Sequence, residues 1–343
     1  MMEDLGRAIP ALETRDIEVR YPVFLGGALG RRVWLRAARG VSLRAHAGER
    51  VGLVGESGCG KSSFARVAAG LERPASGEVL IDGRPVEWGP RRAARAFRGL
   101  VQMVFQDPYA SLNPRMTALD AVAEAFQYRV GLDRASARTE ALALLDEMGI
   151  EGELARRYPV SLSGGQRQRV AIARAVACRP RVLIADEAVS ALDVSVQAQT
   201  LNALERARQR LGFGLVFISH DISVVRHVAD RLVVMYLGRI VEEGPVEAVL
   251  DTPLHPYTAA LAASARWEPG GTRGEPPSPL SPPPGCPYHP RCPLARASCA
   301  EREPDLEATD EAGRRTACPY WRDLRTGVRP MSVTGKRGGE FSP

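Results

Sequence analysis

The run Gly55-Glu56-Ser57-Gly58-Cys59-Gly60-Lys61-Ser62 constrains this chain more than any other stretch. It follows an apolar segment, Arg50–Val54, that reads as a strand. It opens Lys61–Leu71, which reads as a helix. A strand, the spacing G-x-x-x-x-G-K-[ST] and a helix are the parts of a phosphate-binding loop. The glycines let the backbone curl until successive N–H groups point inward, and the helix start adds a positive dipole end. Gly55, Ser57, Gly58, Cys59, Gly60, Lys61, Ser62 and Ser63 are therefore candidate nucleotide contacts. Lys61 would reach the β- and γ-phosphates, and Ser62 would offer an oxygen to Mg²⁺. Composition sharpens the choice of Lys61. Of 46 basic residues only Lys61 and Lys336 are lysine. Position 61 keeps an ammonium where a wide guanidinium would not fit.

The rest of the chain supplies a sheet to carry the loop. Asp16–Tyr21, Val33–Ala37 and Val41–Ala45 read as short β segments, and Glu78–Ile81 ends in an Asp82-Gly83 hairpin turn. Leu100–Phe105 is a buried strand, followed by a helical region over 118–178. Then strands Val182–Ala185, Leu215–Ile218 and Leu232–Tyr236 alternate with helices Val196–Leu211 and Ile222–Ala229. This alternation predicts an α/β fold with a parallel sheet covered by helices. The strand at 182–185 ends in Asp186-Glu187. With a phosphate loop upstream, Asp186 can hold Mg²⁺ and Glu187 can polarise the attacking water. Leu162-Ser163-Gly164-Gly165-Gln166 precedes a helix. It reads either as a plain N-cap or as a second anion-binding helix start.

These residues together resemble the ATPase subunits of ABC transporters. The phosphate loop, Gln106, the LSGGQ signature at 162–166, Asp186-Glu187, Ser190-Ala191-Leu192-Asp193 and His220 stand in the family's order and spacing. The resemblance covers about residues 14–265. It implies a P-loop NTPase parallel sheet core, an antiparallel β subdomain and an inserted α-helical subdomain at about 107–178. It also implies two such domains facing head to tail. Ser163, Gly165 and Gln166 would then meet the ATP held by the partner's loop. Gln106 would sense Mg²⁺ and the water, His220 would contact the γ-phosphate, and Asp193 would link the two sites. Tyr21 resembles the aromatic that stacks on adenine, with Phe24 and Trp34 as neighbours. Position 188 is Ala where the family usually has Pro, and position 63 is Ser where Thr is common. Neither change removes a catalytic group.

Three further stretches are similar to the oligopeptide/dipeptide importers, of the F type in the D/F pair: 101–117, Pro253–Leu261 and Gly285–Cys292. That branch implies a heterodimer with a second, D-type ATPase, two membrane permeases and an extracytoplasmic solute-binding protein. A nickel or other small-solute importer of the same branch is the alternative. A soluble ABC ATPase working on DNA or ribosomes is disfavoured by the single phosphate loop and a net charge of only +6. No nucleic-acid partner is expected. No stretch is long and apolar enough to cross a bilayer, and the acidic start is not a secretory signal. The expected place is the cytoplasmic face of the membrane.

The C-terminal quarter differs in composition. Seven of the sixteen residues from Pro269 to Pro284 are proline. The expected layout is a flexible lead-in 1–13, the ATPase domain, a linker 266–285, a small Cys-rich C-terminal extension 286–322 and a flexible tail 323–343. Cys286, Cys292, Cys299 and Cys318 are spaced C-x5-C-x6-C-x18-C. In a reducing compartment such thiols suit an iron–sulfur cluster or Zn²⁺. Similar tails in this importer family are associated with a [4Fe–4S] cluster. The basic run Arg91, Arg92, Arg95, Arg98 reads as a solvated face.

Overall fold

A computed structural model describes residues 9–26, 30–89, 97, 99–107, 111–190, 192–265 and 274–326. The basic run at 91–98 lies outside the described residues, as do 1–8 of the lead-in, 266–273 of the linker and 327–343 of the tail.

The N-terminal β segments join into two long strands, β1 (Leu12–Leu25) and β2 (Arg31–Ala45). They were legible only in pieces because the pairing shifts register between Thr14 and Ile17 and again near Val19. Asp16 sits there at φ 49°. Bulges of this kind break the two-residue alternation that marks a strand. The folded chain also starts earlier than residue 14. Ala11 and Leu12 are fully buried. β1 and β2 pair with β4 (Ser76–Ile81) and β5 (Arg84–Pro85) in an antiparallel sheet of order β2-β1-β4-β5.

The near-continuous apolar runs form the second sheet. β3 (Arg50–Val54), β6 (Val101–Val104), β7 (Val182–Asp186), β8 (Gly214–Ile218) and β9 (Arg231–Tyr236) lie parallel in the order β9-β3-β8-β7-β6. Every residue of β7 and β8 is buried, as expected for strands covered on both faces. Helix α1 (Lys61–Ala68) follows β3. The helical region breaks at its caps into α2 (Ala118–Ala125), α3 (Arg134–Glu147) and α4 (Gly164–Ala177). Thr117, Asp133 and Ser163 each accept backbone N–H groups at those starts. α5 (Val194–Leu211), α6 (Ile222–Val228), α7 (Val246–Asp251) and α8 (Pro256–Ala265) complete the domain. Among the described residues no helix is long and apolar enough to cross a membrane.

The residues after the proline-rich stretch do not stand apart. β10 (Arg239–Pro245) pairs antiparallel with β9 and, on its other side, with β12 (Arg315–Thr316). β11 (Glu307–Ala308) adds the outermost strand, so the extension finishes an eight-stranded sheet. Tyr288 is 2% exposed and belongs to the main core. Arg314 and Glu242 form an ion pair at 2.7 Å with side chains 2% and 0% exposed. Two short helices, α9 (Ser298–Glu301) and α10 (Trp321–Thr326), close the extension.

Candidate functional site

The glycine-rich loop joins the end of β3 to the start of α1, at the carboxyl ends of the parallel strands. That edge is where ligands bind in open α/β sheets. Gly60 must be glycine. Its φ is +107°, and a Cβ there would lie 1.9 Å from the Ala37 carbonyl oxygen. Gly58, at φ +76°, has open space around it. Ser57 is exposed and Ser63 half-buried. Cys59 is buried in the core and burial pushes its thiol up. Lys61 is 5% exposed. Its Nζ donates to the carbonyls of Gly55 at 2.8 Å and Glu56 at 3.0 Å. An ammonium aimed into the loop by its own carbonyls is available to a phosphate entering there.

The carboxylates at the end of β7 meet this loop. Asp186 is buried, and burial together with the neighbouring Glu187 charge raises its pKa, while a hydrogen bond from Ser62 opposes the rise. Asp186 Oδ1 has no hydrogen-bond partner. A buried, unpaired carboxylate oxygen beside a serine hydroxyl fits a hard divalent cation, which takes oxygen ligands. Glu187 adopts φ +48°, a conformation that costs a non-glycine residue of order 1 kcal/mol. Its N–H donates to the Ile218 carbonyl at 2.9 Å. Its Oε1 lies 3.3 Å from Nδ1 of His220, which follows β8 and is exposed. The strained turn thus delivers a carboxylate and an imidazole side by side at one end of the sheet.

The other candidates divide into two sets. Tyr21 lies beside Ser63 at the start of α1, half-buried, with its hydroxyl donating to Glu72 at 2.6 Å. Phe24 and Trp34 are instead 55% and 50% exposed. Gln106 lies in an exposed bend two residues past β6. Ser163 and Gln166 form a capping box: the Gln166 N–H donates to Ser163 Oγ, and Ser163 N–H donates to Gln166 Oε1. Gly165 packs against α5, where a Cβ would lie 2.7 Å from Val196. Asp193 caps α5 by accepting the Val196 N–H at 2.9 Å. Among the described residues no hydrogen bond or ion pair joins 163–166 to 55–62. Ser163, Gly164 and Asp193 face solvent.

The four tail cysteines are free thiols that line one cavity of about 460 Å³, together with His255, Tyr288 and Tyr320. Burial pushes Cys286 up, and Cys292 and Cys318 to about 12. No group of three or more His, Cys, Asp or Glu is arranged to hold a single metal ion among the described residues.

Nothing in the sequence singles out Glu56 or a partner for it. The Glu56 carboxylate is bound by Arg291, and its N–H by the Tyr257 hydroxyl. No local signal in the sequence joins residues 235 positions apart.

Residues 38–190 match the family model described as ABC transporter. Residues 241–299 match that of the oligopeptide/dipeptide transporter C-terminal region. A probable peptide ABC transporter ATP-binding protein, y4tS of Sinorhizobium fredii, is 47% identical over 90% of this chain and 89% of its own. The chain belongs to the ATP-binding subunits of oligopeptide/dipeptide ABC transporters. The di/tripeptide transport ATP-binding protein DppF of Pseudomonas aeruginosa is 45% identical to this ABC subunit, covering 90% of it and 97% of DppF. The oligopeptide transport ATP-binding protein OppF of Escherichia coli is 43% identical, covering 89% and 94%. Among solved structures, the dimeric ATP-binding cassette MJ0796 in a post-hydrolysis state bound to ADP and Pi has a TM-score of 0.61 at 30% identity. It covers 68% of the ABC subunit and 98% of MJ0796. The cbiO1 protein of Clostridium perfringens has a TM-score of 0.60 at 27% identity, covering 71% and 91%.

Proposed function

We propose that this subunit binds and hydrolyses ATP to drive peptide import, as the F-type partner of a D-type ATPase beneath two permeases. The observation that carries the reading is the meeting of Lys61, Ser62, Asp186 and Glu187 at one edge of the sheet. Ser62 and Asp186 would hold Mg²⁺, which when bound neutralises the charge on the β- and γ-phosphate oxygens. Lys61 turns from its own loop carbonyls to the phosphates. Glu187 Oε1 orients the attacking water and accepts its proton. His220 Nδ1, beside that oxygen, helps place the γ-phosphate. Gln106 reports on the water and the ion, and Tyr21 supports the adenine.

The solvent-facing signature loop supports a head-to-tail dimer. Ser163, Gly165 and Gln166 would close over the partner's ATP, with Asp193 linking the two sites. A solute-binding protein outside the cell would select the peptide, and the subunit would work at the cytoplasmic face of the membrane. In the tail, four reduced thiols around one roomy cavity support a [4Fe–4S] cluster held by Cys286, Cys292, Cys299 and Cys318. Visible absorption after anaerobic purification is the expected sign, and a colourless protein would remove the cluster. The transport reading is tested in proteoliposomes holding both ATPases and both permeases. Peptide uptake should require MgATP and should vanish with Lys61→Ala. Uptake without ATP would refute it.

A further inference from the structure

Glu56 puts a carboxylate inside a loop that must hold phosphates, and something has to offset its charge. Arg291 does so from the C-terminal extension. Its guanidinium donates two parallel hydrogen bonds to the Glu56 carboxylate, at 2.8 and 2.9 Å. Such bidentate, charge-assisted pairs are the strong and directional ones. The same guanidinium donates to the Tyr236 hydroxyl at 3.2 Å and to the Gly274 carbonyl at 3.0 Å. The Arg291 side chain is 6% exposed and that of Glu56 20%, so solvent screens the pair only in part. Glu56 is fixed on its other sides as well. Its N–H donates to the Tyr257 hydroxyl at 2.8 Å, and its carbonyl accepts from Lys61 at 3.0 Å. Behind these contacts the rings of Tyr236, Tyr257 and Tyr288 pack with centroids 4.6 to 5.4 Å apart. They form a stiff aromatic wall between the loop and the extension.

We infer that Arg291 is a positioning residue for the nucleotide site: it neutralises Glu56 and holds that carboxylate turned away from the phosphates. Arg291 itself touches no phosphate. The inference rests on the reading of this loop as an ATP site, and it makes the Cys-bearing extension a working part of that site. Arg291 lies one residue before Cys292, on the turn whose His289 N–H donates to the Cys286 carbonyl at 3.0 Å. Displacement of the thiol-bearing turn therefore reaches the phosphate loop directly.

The test is equilibrium binding of MgATP and MgADP to the purified full chain, with thermal melting in parallel. Arg291→Ala should raise the MgATP dissociation constant about tenfold, the size of one charged hydrogen-bonded pair. MgADP, with less phosphate charge to repel, should suffer less. A merely structural role would weaken both alike. Arg291→Lys should recover part of the loss, keeping the charge without the fork. The double variant Glu56→Gln with Arg291→Ala should return to within about threefold of wild type, since no carboxylate remains to be neutralised. Wild-type affinity in Arg291→Ala would overturn the inference, as would a double variant as weak as Arg291→Ala. If Arg291→Ala does not fold, Glu56→Gln decides alone: it should bind MgATP at least as well as wild type, and weaker binding refutes the role. A wild-type chain that binds no MgATP would strike down the ATP-site reading, and the inference with it.

Discussion

Arg314 is the pin that docks the extension, and Arg314→Met should release it. In the structure Arg314 donates to Glu242 at 2.7 Å, to Glu311 at 2.8 Å and to the Thr252 carbonyl at 2.8 Å. Glu242 also accepts the N–H groups of Leu254 and His255 at 2.9 and 2.8 Å. Even with these partners, burial holds the Glu242 pKa above its ordinary value. Removing the arginine leaves a fully buried carboxylate without its counter-charge. Breaking one half of a buried pair costs about 3–5 kcal/mol. At about 1.4 kcal/mol per factor of ten, the extension should open about two to three and a half orders of magnitude more often. Hydrogen exchange reads this directly at Arg315–Ala317, where the Ala317 N–H donates to the Val241 carbonyl at 2.8 Å. Exchange there should speed up by that factor while β7 and β8 stay protected. The sign of the pH dependence is a second check. In the variant the folded-state pKa of Glu242 lies further above the unfolded value, so the folded state gains stability as pH falls and the carboxyl protonates. The deficit should be smaller at pH 5 than at pH 8. Glu242→Gln added to Arg314→Met should recover part of the protection, because the buried charge is gone and the amide oxygen still accepts one of the two N–H groups. Unchanged exchange at Arg315–Ala317 in Arg314→Met would refute the reasoning.

Other consequences follow from the same geometry. His255 is fully buried, its Nδ1 accepts the Tyr257 N–H at 3.1 Å, and burial lowers its pKa to about 3. The unfolded chain binds the proton first, so stability is full above about pH 6.5 and falls as pH drops toward 3. From this residue the loss should be about 2 kcal/mol at pH 5. Denaturant titrations at pH 5 and 7 should show it in wild type and not in His255→Gln; an equal loss of stability in both proteins would contradict the assignment. Gly60→Ala forces a Cβ to 1.9 Å from a backbone oxygen, whereas Gly58→Ala meets nothing within 4 Å and carries only the cost of a left-handed alanine, about 1–2 kcal/mol. MgATP binding should be abolished by Gly60→Ala and only weakened by Gly58→Ala. Equal loss in both would mean that close packing does not shape the loop.

The part of the site written as contiguous motifs was legible in the sequence. A phosphate loop needs glycines at fixed offsets, and Lys61 and Ser62 sit where the helix begins. Asp186 and Glu187 end an all-buried strand, which a continuous apolar run reveals. The N-cap at Ser163 was likewise readable, while its reciprocal bond with the Gln166 side chain emerges from the folded chain. What escaped was set by distant pairing. β1 and β2 are long strands broken up in the sequence by register shifts. β12 is only Arg315–Thr316, too short for any periodicity, yet it ties the extension into the main sheet. The Glu56–Arg291 pair joins two charged residues that each look like ordinary surface. Only the folded chain brings them together.

The most direct test is phosphate release from MgATP by the subunit assembled with its partner ATPase and permeases, comparing wild type with Glu187→Gln. The Glu187 carboxylate lies 3.3 Å from the His220 imidazole at the end of β7. Wild type should turn over ATP, and Glu187→Gln should still bind it but release phosphate at least about a hundredfold more slowly. Equal rates in the two proteins would contradict the account.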